Sequence, residues 1–137
     1  MKWLLSVLLS SLAACLPTWD LPGSCDQVSL LGTGSEIGAA ATERKERYHD
    51  QLDDTYVACE TVADCMLVTS ELRCDDGSSF NFCPVYLNRD MADAYDQGLQ
   101  KTGRGLCGCI TETMHMASCE QVDPACVEQR CHNPYGP

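Results

Sequence analysis

Met66-Leu67-Val68-Thr69-Ser70 is followed by Asp76-Gly77 and then by Phe80-Asn81-Phe82. The first run is apolar and β-branched, the last alternates aromatic with polar, and the Asp-Gly pair between them signals a type I′ turn. The stretch predicts a β-hairpin. Upstream the period is different. Ile37, Ala41, Tyr48, Leu52 and Tyr56 recur along one stripe of a helix, which predicts a helix over about 35–57. Thr33-Gly34-Ser35-Glu36 matches a capping box at its start, and Glu43 with Arg47 forms a favourable i,i+4 pair on its outer side. Asp50, Asp53 and Asp54 fall on the solvated face of that helix and lack the D-x-D-x-D-G frame of a calcium loop.

Downstream, Pro84 has no amide hydrogen, so it ends the second strand's pairing or sets that strand at an edge. Asn88 is a candidate N-cap for a second helix carrying Met91, Tyr95 and Leu99 on one side, and Lys101 and Gly103 provide its C-terminal chemistry. Cys107-Gly108-Cys109-Ile110-Thr111 and Ala125-Cys126-Val127-Glu128-Gln129-Arg130-Cys131 read as two further short strands. The expected architecture is α+β. It is a small disulfide-rich single domain with a long N-terminal helix, short antiparallel strands and a second helix, in the order α-β-β-α-β-β.

The start of the chain obeys another grammar. Met1-Lys2 precedes a short apolar run, closed by Leu12-Ala13-Ala14-Cys15. That is the order of a secretory signal peptide, and Pro17 and Asp20 interrupt it well before the ~20 residues a membrane span needs. The Leu-Ala-Ala-Cys ending resembles the lipobox of bacterial lipoproteins. The resemblance implies cleavage before Cys15 and acylation of that cysteine, and Leu16 in place of an aspartate after it implies an outer-membrane address, facing the periplasm or the cell surface. An ordinary signal-peptidase site is the rival reading. Cysteine counting favours the lipobox: of 11 cysteines, setting Cys15 aside leaves ten, an even set for an oxidising compartment. These are Cys25, Cys59, Cys65, Cys74, Cys83, Cys107, Cys109, Cys119, Cys126 and Cys131. Residues 1–14 are thus expected to be a leader, 15–32 a lipidated tether rich in proline and glycine, and 33–137 the stapled domain.

Composition restricts the partners. The leader holds one of the 9 Lys+Arg and none of the 20 Asp+Glu, so the mature chain carries 8 against 20, near −12. Nucleic acid and anionic headgroups both demand basic surface. The acidic balance excludes them and favours a basic protein or a cationic ligand, with anchoring left to the acyl chains. Cysteine at this density replaces part of the core that a small domain builds thinly.

Cys59-x5-Cys65 with Asp64 before it, Phe82-Cys83-Pro84, Val85-x2-Asn88 entering a helix, and the Ala125-Cys126-x4-Cys131 ending are similar to small cysteine-rich secreted proteins of bacteria. The resemblance spans roughly 59–131, supports the fold and transfers no catalytic residue.

Four features could carry chemistry. Cys107-Gly108-Cys109 could be a redox pair, but alternate strand positions point apart, and two separate bridges are expected. Met114-His115-Met116 offers soft ligands for copper, against a plainer reading of apolar methionines flanking a surface histidine; no metal and no cofactor are expected. His49, on the charged face of the first helix, His115 and His132 are scattered without a nucleophile frame, so no catalysis is expected. The segment 75–81 between Cys74 and Cys83 is the candidate loop of a protease inhibitor, though it lacks a Lys or Arg anchor. The leading expectation is a membrane-anchored lipoprotein acting as a rigid binding or structural module; a disulfide-rich protease inhibitor and a copper-binding protein are the alternatives.

Overall fold

The computed structural model describes residues 34–137 apart from Thr111 and Ala117. The expected leader, Cys15, Cys25 and Thr33 of the expected capping box lie outside the described residues. The chain is α+β: two helices, several mostly antiparallel strands and four described disulfides.

Helix α1 (Gly34–His49) buries Ala41 and Tyr48 and packs Ile37 against the core. It stops well short of residue 57. The chain tightens after His49, with the amides of Gln51 and Leu52 bonding back three residues to Tyr48 (3.1 Å) and His49 (3.0 Å). Asp53 then caps a separate 3₁₀ turn, Asp54–Tyr56, by accepting from the Thr55 amide. Leu52 and Tyr56 still reach the core, so the apolar period outlives the helix. The three aspartates therefore do not share one helix face; Asp54 pairs with the distant Arg130.

Strand β1 (Cys65–Val68) pairs antiparallel with β4 (Val85–Asn88), matching Met66 with Leu87 and Leu67 with Tyr86. β2 (Glu71–Arg73) pairs with β3 (Ser79–Asn81), and β5 (Thr113–His115) adds to β3 in parallel. The expected hairpin partner thus shifts: the strand ahead of Asp76-Gly77 is β2, while the 66–70 run pairs with β4. The turn type also differs. Gly77 alone is left-handed, at φ +87°, its amide bonds the Cys74 carbonyl and the Cys74 amide bonds Ser78. That is a five-residue connection closed by a glycine bulge, because Asp76 keeps a negative φ where a type I′ turn needs a positive one.

Asn88 caps as expected, its Oδ1 accepting from the Asp90 amide at 2.9 Å, first into a 3₁₀ turn, Arg89–Met91, and then into α2 (Ala92–Gly103). Tyr95 and Leu99 are buried. Gly103 is no left-handed cap. Its φ is −85°, and a Cβ there would meet the Leu72 methyls at 2.7 Å, so the residue is glycine to let α2 close on β2. The Cys107–Ile110 stretch is helical turn rather than strand: a 3₁₀ turn covers Arg104–Leu106, and Leu106, Cys109 and Ile110 are buried at helical spacing. The last expected strand is a hairpin of two, β6 (Cys126–Val127) and β7 (Arg130–Cys131).

One core cluster, including Leu72, Phe80, Phe82, Leu87, Tyr95 and Leu99, fills the space between the helices and the two larger sheets. A second, small one holds Cys59, Cys65 and Cys131 with Tyr86 against it. The bridges are Cys59–Cys126, Cys65–Cys131, Cys74–Cys107 and Cys83–Cys119, closing loops of 67, 66, 33 and 36 residues. In a chain-entropy account each contributes about 4 kcal/mol by restricting the unfolded chain.

Candidate binding surfaces

Three side chains far apart in sequence meet where α1, α2 and the loop before β2 converge. Tyr95 from α2 places its hydroxyl 2.8 Å from His49 Nε2 and 3.0 Å from Ser70 Oγ. Tyr48 donates to the Tyr95 carbonyl at 2.9 Å. Burial, then the charge of Lys45, lowers the His49 pKa to about 4, so its imidazole is neutral at ordinary pH. Burial first, with Asp96 adding to it, raises the Tyr95 hydroxyl to about 12. Ser70 has no exposed surface, so no substrate reaches its hydroxyl. The chain of bonds ties the two helices to the loop before β2. His49 accordingly does not sit on an outer charged face.

One turn before His49, Lys45 is buried with its ammonium 3.1 Å from the Cys83 carbonyl and 5.4 Å above the Phe82 ring. Desolvation by burial lowers its pKa to about 8, against the smaller opposing pull of Glu46. Beside it a groove of about 360 Å³ runs between α1, Met116 and the last residues, with Glu46 and Asp50 among its lining.

The β6–β7 hairpin is exposed and held from several sides. Glu128 and Gln129 stand at φ 51° and 60°, the only left-handed residues other than glycine among those described. This is where the type I′ geometry lies, without the Asn-Gly signal that normally marks it. Non-glycine residues resist that conformation by about 1–2 kcal/mol each. Non-local restraints hold it: Cys126 is tied to Cys59 and Cys131 to Cys65, the Cys59 amide bonds the Gln129 carbonyl at 3.0 Å, and the Cys131 amide bonds Val57 at 2.7 Å. Between the staples, Val127 is more than half exposed.

The residues singled out from sequence distribute as follows. Met114 and Met116 pack against the core, whereas His115 between them is exposed and lies 3.1 Å from the Asn81 amide through Nδ1. Strand alternation therefore turns the imidazole away from both thioethers, and the triplet does not converge on one ion. His132 is exposed at the far end of the chain. In the 75–81 segment only Asp75, Asp76 and Gly77 are exposed; Ser78, Ser79 and Phe80 are buried, which leaves a short tip rather than a presented loop. All nine described cysteines are disulfide-bonded. Cys107 joins Cys74, and Cys109 joins a cysteine outside the described residues, so the C-x-C pair is not bonded to itself. The sulfurs of Cys59, Cys65 and Cys131 lie within 4.8 Å of one another, but as members of two bridges they offer no thiolate to a metal.

Sequence reasoning missed the Tyr95 network and the strained hairpin. Local sequence carries no signal for either beyond the burial expected of Tyr95. Among the described residues no helix is long and apolar enough to cross a membrane. The chain matches no family model, no curated protein and no solved structure.

Proposed function

We propose that the chain is a lipoprotein of the bacterial envelope, anchored in the outer membrane through acylated Cys15, whose body is a rigid, non-catalytic binding module for a basic protein. The hairpin 126–131 carries the binding part of this reading. A left-handed turn held by two disulfides and two main-chain bonds presents Val127 at fixed geometry, and such preorganisation lowers the ordering cost of association. The anchor is supported by the leader and by cysteine arithmetic. Eight described cysteines pair among themselves, the ninth takes a partner outside, and only Cys15 and Cys25 stand there. With Cys15 set aside for acylation, the reading gives Cys25 to Cys109 as the fifth bridge. The charge near −12 supports a basic partner.

The test is a photo-crosslinking residue at position 127, irradiated in intact envelope. A discrete adduct, lost when Cys15→Ala releases the protein, is expected. Absence of any adduct from position 127, with the protein folded and anchored, would refute the hairpin as the binding element.

A further inference from the structure

The two-stranded β1–β4 sheet has one protected edge and one open edge. Asn133 protects β4: its Oδ1 accepts from the Tyr86 amide and its Nδ2 donates to the Tyr86 carbonyl, so one side chain stands in for a neighbouring strand. In an antiparallel ladder, opposite residues either exchange both main-chain bonds or turn both groups outward. Tyr86 points both groups at Asn133, so Leu67, its cross-strand partner, turns its own amide and carbonyl to the other edge. No strand among the described residues pairs there.

The side chains agree with the backbone. Of the four large apolar residues exposed in the described part of the chain, Val62, Met66 and Leu67 lie in or just before β1, and Met66 and Leu67 are 42% and 50% exposed. Proteins usually guard an edge strand with lysine, proline or a bulge. The run from Val62 to Val68 has no lysine, arginine or proline. Leu67 also borders a groove of about 590 Å³ that continues past Tyr86 and Val122 and carries two carboxylates, Glu120 and Asp123, with no cationic residue in its lining.

We propose that the open edge of β1 is a docking site for an extended basic peptide segment, added as a third strand with its lysine or arginine side chains on the Leu67–Tyr86 face and its alternate apolar side chains on the opposite face, beside Met66. Main-chain bonds to Leu67 fix the register, and the carboxylates of Glu120 and Asp123 select lysine or arginine at the positions that share the Leu67–Tyr86 face. A second copy of this chain is disfavoured by charge, since each mature chain carries near −12 and would bring the same two carboxylates. The proposal rests on the binding-module reading and names its partner's chemistry.

The experiment uses the full mature chain in nonionic detergent micelles and an acetylated seven-residue peptide alternating Lys and Val, with hydrogen exchange of the Leu67 amide as the readout. Saturating peptide is expected to slow that exchange at least tenfold. Leu67→Lys is expected to weaken binding at least tenfold, and a peptide N-methylated at alternate residues should give no protection to the wild-type chain, which keeps the test decisive if the variant misfolds. Binding without Leu67 protection, or equal protection by a Glu-Val peptide, overturns the proposal. So does an amide already protected in the free monomer, which assigns the edge to residues 1–33, or protection that grows with protein concentration and doubles the mass, which assigns it to a second copy. Envelope adducts from position 127 that persist alongside such a failure leave the binding-module reading intact and remove this edge from it.

Discussion

Gly98→Ala should destabilise the protein, although alanine is the better helix former. In an exposed helix interior the exchange gains about 1 kcal/mol. At Gly98 the new Cβ would run into the Tyr48 hydroxyl oxygen and lie 2.6 Å from its Cζ. Tyr48 cannot swing clear, because it is buried, its ring sits 5.5 Å from that of Tyr95, and its hydroxyl donates to the Tyr95 carbonyl. Relief needs α2 to back away or that bond to break. Overpacking costs about 1–3 kcal/mol and a lost hydrogen bond about 1, so after the helix gain the net loss is about 1–3 kcal/mol. Gly38→Ala in α1 is the matched control: its Cβ would meet Phe80 at 3.9 Å, an ordinary contact. It should gain up to about 1 kcal/mol. Urea unfolding with the disulfides intact reads both, the first midpoint falling and the second rising at an unchanged slope. A Gly98→Ala protein as stable as wild type would refute the close packing of α1 on α2.

Glu128→Asn combined with Gln129→Gly supplies the residues that a type I′ turn prefers and should stabilise by about 1–2 kcal/mol in the same assay. His49 has a folded pKa of about 4 against 6.5 for a free imidazole, so between those values the unfolded chain binds more protons. Its contribution is full above pH 6.5 and is lost as pH falls towards 4; the difference between wild type and His49→Gln in unfolding free energy across that window isolates it. Tyr95→Phe strands the Ser70 hydroxyl in a site with no exposed surface and should cost about 1–3 kcal/mol by urea unfolding. His115→Ala with His132→Ala should complement a deletion strain fully; failure with the double variant folded and anchored would reveal a histidine-dependent site.

The parts legible in sequence are those decided locally. Helix α2 was readable because Asn88, Tyr95 and Leu99 state its cap and buried face within a few residues. Asp76-Gly77 placed a turn correctly but not its type or its first strand, because Leu72 pairs with Phe80 for reasons of burial that the run 66–70 does not reveal. Leu52 and Tyr56 kept a helical period while the backbone changed, since packing selects the side chain and not the hydrogen-bond pattern. The left-handed pair Glu128-Gln129 was invisible: its conformation is imposed by Cys59, Cys65 and Val57, more than sixty residues upstream. Ser70, Tyr95 and His49 form their network by the same non-local logic, as does Asn133 on Tyr86.

A non-reducing peptide map of protein extracted from the membrane tests the central claim, a lipid-anchored body locked by five bridges, most directly. The account predicts acyl mass on a mature N-terminal Cys15, a linked Cys25–Cys109 peptide, and the Cys59–Cys126, Cys65–Cys131, Cys74–Cys107 and Cys83–Cys119 pairs. A Cys15–Cys109 link, or Cys15 without acyl mass, would contradict it.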